Sequence, residues 1–237
     1  MELIFRTDPY ARRCEATVLR ADETGICLDR TVFYPMGGGQ PGDQGTLRLA
    51  DGMALEIRDT VKGPGPEEIL HLTGSGTPLP AVGTTVMAEI DWARRHRLMR
   101  MHTCLHLLCA VVPGEVTGGQ VGDGKGRLDF NLPEGGLDKD AITAALNSLI
   151  AEDHPVRPIW ITDEELAAQP DLVRTMSVKP PTGSGRVRLM QIEGVDLQPC
   201  GGTHVGRTGE IGTIRVTKIE SKGRQNRRIS IAFAEDA

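Results

Sequence analysis

"DWARRHRLMRMHTCLHLLCAVV", residues 91–112, contains no glycine or proline and is rich in good helix formers. Asp91 is placed to cap its start and Pro113-Gly114 to end it, so the stretch predicts a single long helix. The texture on either side of it differs. Before it, "CEATVLRAD", "GICLDR", "LEIRDTVK" and "TTVMAEID" carry β-branched and aliphatic residues between Gly- and Pro-rich segments such as "GPGPEE" and "GSGTPLP". Short strands at such close spacing predict a small β-barrel over residues 1–90. After it, "DKDAITAALNSLIAED" repeats apolar residues at Ile142, Ala145, Leu146, Leu149 and Ile150, the pattern of a buried helical stripe. "TDEELAAQ" reads as a short third helix, and strands return at "RVRLMQIE", "GTIRVTKIE" and "RRISIAFA". The expected fold class is therefore α+β. It has an N-terminal barrel-like domain over 1–90 and a second domain over 91–237 with an antiparallel sheet and the long helix.

The chain has 237 residues, 39% hydrophobic and 25% charged, the balance of a soluble globular protein. No apolar run approaches the roughly 20 residues of a membrane span. The start "MELIFRTDPY" lacks a basic n-region followed by an apolar run, so a cytoplasmic protein with no membrane partner is expected. Five scattered cysteines fit a reducing compartment better than a disulfide framework. The formal charge of -5 resides in the first part: residues 1–90 hold 13 acidic and 8 basic side chains, and the remainder 19 of each. Any nucleic-acid contact must then use a local patch. Two basic clusters offer one: Arg94, Arg95, Arg97 and Arg100 on the long helix, and Lys218, Lys222, Arg224, Arg227 and Arg228 near the last strands. For any single one of these residues, a solvated surface cation is an equally good reading.

The long helix carries His102 and His106, four apart and so on one face, within reach of a single ion. "PCGGTHVG", residues 199–206, sets Cys200 four residues before His204. An isolated HxxxH is more often coincidence than ligand pair, and a lone Cys-His turn is a weak signal. Together they use three of the chain's six histidines. Three imidazoles and a thiolate suit Zn²⁺. Gly201 and Gly202 are expected to let that turn fold tightly. Cys104 and Cys109 read as packing residues, as do Cys14 and Cys27 within the first strands. His71, His96 and His154 show no partner in the sequence.

The zinc chemistry is not that of a peptidase, because Thr103 follows His102 and no Glu stands between the histidines. The H-x-E and P-C-x-x-C of the deaminases are also absent. Four protein ligands normally close a zinc site. Either one of them gives way to water, or the metal shapes a pocket in which a positioned water or the substrate's own hydroxyl acts.

A second unusual segment, "DRTVFYPMGGGQPGDQG", residues 29–45, puts three glycines before Gln40, where backbone can approach a ligand closely. It is neither a P-loop nor a dinucleotide fingerprint, so no nucleotide cofactor is expected. Taken by itself, it is equally well a loop between strands.

"TVFYPMGGGQPGDQG", "HTCLH", "QPCGGTH" and "SKGRQNRRI" occur in the order seen in the editing region of alanyl-tRNA synthetase. Over nearly its full length the chain resembles free-standing alanyl-tRNA editing proteins of the AlaX type, in their medium form. The resemblance implies a zinc-dependent trans-editing deacylase. It would hydrolyse the ester of mischarged tRNA(Ala), carrying chiefly serine and possibly glycine. His102, His106, Cys200 and His204 match the family's zinc ligands, Gln40 the glutamine of its glycine-rich motif, and Thr31 the threonine that contacts the serine hydroxyl. A synthetase pocket cannot strongly reject a substrate that adds only a hydroxyl, which is why a second, hydrolytic site is needed. The implied partner is tRNA(Ala) bearing serine or glycine, met through Arg94, Arg97, Lys222, Arg224, Arg227 and Arg228. A non-catalytic zinc-stabilised RNA-binding module and a metallohydrolase of small esters or amides are the competing readings.

Overall fold

The computed structural model describes residues 1–65, 68–132, 136–169, 172–173 and 185–236. It divides into two compact units, Met1–His96 and Arg97–Ala237.

The first unit runs β1 (Glu2–Leu3), α1 (Ile4–Thr7), β2 (Arg13–Asp22), β3 (Gly25–Leu28), β4 (Arg30–Thr31), β5 (Gly45–Leu49), β6 (Ala54–Ile57), β7 (Asp59–Lys62), β8 (Ile69–Leu72) and β9 (Thr85–Ile90). Seven of these strands form one antiparallel sheet in the order β6-β5-β9-β2-β3-β8-β7. The predicted barrel is corrected here. Among the described residues no pairing joins β6 to β7, so the sheet is open. β2 joins the two halves of the sheet. Its first half, Arg13 to Thr17, pairs with β9, and beyond Val18 it pairs with β3, with a register shift between Val18 and Arg20. A bulge there bends the strand. Both halves of the sheet then bury side chains in one cluster, including Ala16, Val18, Ile26, Leu47, Ile57 and Val86. The shared core forms although β6 and β7 remain the two edges of the sheet.

The second unit takes up α2 (Trp92–Val111), whose first residues belong to the first unit. It continues with β10 (Glu115–Val121), β11 (Lys125–Asn131), α3 (Lys139–Ala151), β12 (Val156–Ile161), α4 (Asp163–Ala167), β13 (Val187–Ile192), β14 (Asp196–Pro199), β15 (Ile214–Ser221) and β16 (Asn226–Phe233). Asp91 Oδ1 accepts from the Arg94 amide and starts α2, as its sequence position predicts. Every residue from Met101 to Cys109 is buried, the behaviour of a helix enclosed on all sides. The strands form two antiparallel sheets, β10-β11-β16-β15 and β12-β13-β14. The edge strand β15 is covered by α3. Asn147 exchanges two hydrogen bonds with the Ile214 backbone, and Thr143 Oγ1 accepts from Val216 N.

Candidate metal centre

Alternation along one short strand builds half of this site. Successive strand residues point to opposite faces. Asp196, Gln198 and Cys200 are spaced by two and share a face, while Leu197 packs on the other side with Val187 and Leu189. The helical pair supplies the other half, with the His102 and His106 rings 5.5 Å apart. Cys200 Sγ lies 3.6 Å from His102 Nε2 and 3.2 Å from His204 Nε2. One ligand atom from each of His102, His106, Cys200 and His204 falls within 4.8 Å of all the others. A tetrahedral ion with Zn–N near 2.0 Å and Zn–S near 2.3 Å requires N···S edges of about 3.6 Å. The donor set and its spacing therefore fit zinc.

The groups around the four fix how they point. His106 Nδ1–H donates to Asp196 Oδ2 (3.1 Å), which also accepts from Gln198 Nε2 (2.8 Å). This leaves Nε2 of His106 as its donor atom, the carboxylate–histidine arrangement common behind metal ligands. Thr103 Oγ1 donates to the Met99 carbonyl (2.9 Å) and accepts from His204 Nδ1 (3.1 Å) and Val205 N (3.3 Å). His204 is thereby held with its Nε2 lone pair toward Cys200. Arg188 Nη1 donates to the carbonyls of Cys200 (2.7 Å) and Gly202 (3.1 Å) and holds the turn. Gly202 N–H points at Cys200 Sγ, 3.4 Å away. The expected need for glycine is not seen at Gly201, whose φ is not left-handed and whose added Cβ meets nothing within 4 Å.

Electrostatics favour the ligand forms of Cys200 and His204. Burial alone would raise the Cys200 thiol. The charge of His102 and hydrogen bonds from His102 and His106 outweigh it and hold the group well below its usual value, as thiolate. His204 is held well below the ordinary imidazole range by burial and by the neighbouring charge of His102. Burial works against a charged His106, but Asp196 and Cys200 overcome it and raise the group to about 10 in the absence of an ion, so a metal taken at Nε2 would have to displace a proton there.

The other sequence-predicted residues have partners of their own. In the first unit, Thr31 is fully buried. His71 Nδ1–H donates to the Ile26 carbonyl (2.9 Å), so Nε2 accepts from Thr31 Oγ1 (2.8 Å), which in turn accepts from Phe33 N (3.0 Å). Burial, opposed by that backbone bond, lowers the His71 pKa to about 4. Gln40 is fully buried and closes a two-residue turn: Gly37 and Gln40 exchange backbone bonds of 3.0 Å across Gly38 and Gly39, at φ 57° and 81°. Left-handed φ at both central positions makes this a type I′ turn, which explains the consecutive glycines. At Gly42 a Cβ would collide with the Thr60 carbonyl, 2.0 Å away.

Arg95, grouped in the sequence with the surface cations, is fully buried. Its Nε reaches both Asp43 carboxylate oxygens at 2.9 Å, and Nη2 donates to the Val32 carbonyl (2.7 Å). Arg94 donates to the Gly42 carbonyl. Arg97 pairs with Asp123 and Glu235, Lys222 with Glu220, and Arg228 with Asp129 through two bonds of 2.7 and 2.8 Å. Arg227 donates to Ser221 Oγ and the Gly223 and Asn226 carbonyls, while Arg224 is exposed.

Asp196, Gln198, Thr103, Arg188 and His71 were missed in the sequence. The one signal pointing to the first two is polar residues at alternate positions leading into Cys200, "DLQPC".

Two family models match, one described as Threonyl and Alanyl tRNA synthetase second additional domain (residues 187–230), the other as tRNA synthetases class II (A) (residues 8–94). Alanyl-tRNA editing protein AlaX-M of Methanosarcina acetivorans is 38% identical, over 96% of this chain and 97% of its own. The chain belongs to the AlaX-M family of alanyl-tRNA editing proteins. Its likeness to AlaX-M of Saccharolobus solfataricus is 32% over 96% of this chain and 97% of the relative. AlaX-L of Pyrococcus horikoshii is 33% identical over 97% of this chain, but the match covers 57% of that longer protein. Among the described residues no helix is long and apolar enough to cross a membrane.

Proposed function

We propose that this AlaX-M family member deacylates mischarged tRNA(Ala) in the cytoplasm, acting on the seryl ester first and the glycyl ester second. The observation that carries the reading is the cluster of buried His102, His106 and His204 with half-buried Cys200 in a chain that matches alanyl-tRNA editing proteins over 96% of its length. In the reaction, water adds to the acyl carbon and the bond to the ribose oxygen breaks. The products are the free amino acid and a tRNA with its terminal hydroxyl restored.

Zinc held by the four ligands would supply a Lewis-acid centre, or, with all four bound, the fixed wall of a pocket. X-ray absorption on the purified protein separates three protein ligands from four. Asp196 and Thr103 orient His106 and His204, and Arg188 holds the turn that carries Cys200. Thr31 is the proposed reader of the amino acid. Its proton is given to His71 and one lone pair to Phe33 N–H, so its remaining lone pair can only accept. A serine hydroxyl can donate to it, and alanine cannot. Reaching it requires the side chains around it to part. Thr31→Val is expected to erode discrimination between Ser- and Ala-tRNA(Ala). Thr31→Ser, which keeps the hydroxyl and the His71 bond, should retain it. Equal discrimination in wild type and Thr31→Val removes Thr31 from the reading.

The test of the function is deacylation of Ser-, Gly- and Ala-tRNA(Ala). Hydrolysis of the first two in preference to the third is expected. Tight RNA binding without hydrolysis would return the protein to a non-catalytic RNA-binding module.

A further inference from the structure

Among the described residues of the second unit, Trp160 is the only large hydrophobic side chain that is exposed, at 49%. The chain has two tryptophans and 3% aromatic residues, so an indole left in solvent is unusual for this protein. Its place in the three-stranded sheet is defined by register. Trp160 on β12 lies opposite Arg188 on β13. Leu189 pairs with Pro199, and Cys200 N donates to the Arg188 carbonyl, so the next position across from Arg188 is Cys200. Directly opposed residues share a face of a sheet. Trp160, Arg188 and Cys200 thus form one row across three strands, on the face that also carries Asp196 and Gln198. Ile159 and Ile161 point the other way, into the apolar cluster with Leu166, Val187 and Leu189. With strands about 4.8 Å apart, Trp160 stands about 10 Å from the thiolate ligand. Arg188 between them is buried, its Nη1 spent on the Cys200 and Gly202 carbonyls.

An exposed indole one nucleoside's length from a hydrolytic centre has a natural occupant. The geometry points to Trp160 as a stacking platform for the unpaired 3′-terminal nucleobase of the acylated RNA, whose ester carbon lies at the metal centre. This inference rests on the deacylase reading and adds to it where the end of the RNA is gripped. Stacking of a base on an aromatic ring contributes substantially and tolerates any sequence, because every base has a π-face. The platform therefore holds the terminal nucleoside in place without choosing among tRNAs.

The test has two arms. In steady-state deacylation of Ser-tRNA(Ala), Trp160→Ala should raise KM about tenfold or more with kcat little changed, and Trp160→Phe should return KM to within a few-fold of wild type. In the second arm, Trp92→Phe leaves Trp160 as the sole tryptophan. Titration with the stable 3′-amide analogue of seryl-adenosine should then quench its fluorescence. An active wild type whose KM is unchanged by Trp160→Ala, or a Trp160 emission indifferent to saturating analogue, overturns the platform and leaves the deacylase standing. A wild type that does not deacylate Ser-tRNA(Ala) overturns the deacylase reading itself.

Discussion

Because its own proton is spent on the Met99 carbonyl, Thr103 can only accept from His204, which fixes a proton on His204 Nδ1. Asp196 does the same service for His106 through Nδ1. Such partners hold ligand rings in the metal-binding tautomer, and losing one typically costs 10- to 100-fold in metal affinity, or roughly 1.4 to 2.8 kcal/mol. Asp196→Asn is expected to weaken zinc binding by that factor in competition with a chromophoric chelator; unchanged affinity would remove Asp196 from the site. His71 makes a second residue-level prediction. Its folded pKa of about 4 lies below the ordinary 6.5, so the unfolded chain binds the extra proton first. Stability should fall as pH drops from about 6.5 to 4 and the penalty should level off below that, reaching about 3 kcal/mol. Urea unfolding across that range should show the loss in wild type and not in His71→Gln. The sequence made the ligand candidates legible because their signal is local: one helical turn, and one Cys-x-x-x-His. The Thr31–His71 bond spans 40 positions and leaves no local trace.

Elements were legible where their ends and periodicity are written in neighbouring residues. Asp91 caps α2, and Asp138 caps α3 by accepting from Asp140 N and Ala141 N. Replacing Asp138 with Ala should cost about 1 kcal/mol in urea unfolding; no change would mean that the cap is not formed in solution. Sheet closure was not legible, because it depends on which distant strands meet. The bulge that divides β2 between β9 and β3 leaves no pattern in "CEATVLRAD". The Arg95–Asp43 pair failed for the same reason. Arg95 sits in a run of cations and its partner lies 52 positions away. Removing one member strands a buried charge, so Arg95→Met should cost about 3–5 kcal/mol. Adding Asp43→Asn should recover part of that loss. A single variant as stable as wild type would contradict the burial of the pair.

At the scale of the whole molecule, chemistry is unevenly distributed between the two units. The metal cluster and Trp160 lie in Arg97–Ala237, and the glycine-rich turn and Thr31 in Met1–His96. The formal charge of -5 makes a general attraction to RNA weak, and several of the predicted RNA-facing cations already pair with acids. Recognition then rests on a few local contacts and on the acylated end itself. All of this depends on four side chains from two distant segments holding one ion. The most direct test is the zinc content of the purified protein and of its His102→Ala/Cys200→Ala variant, measured by elemental analysis. One equivalent per chain in the wild type and none in the variant is the predicted result. A variant that keeps its full equivalent of zinc would contradict the assignment.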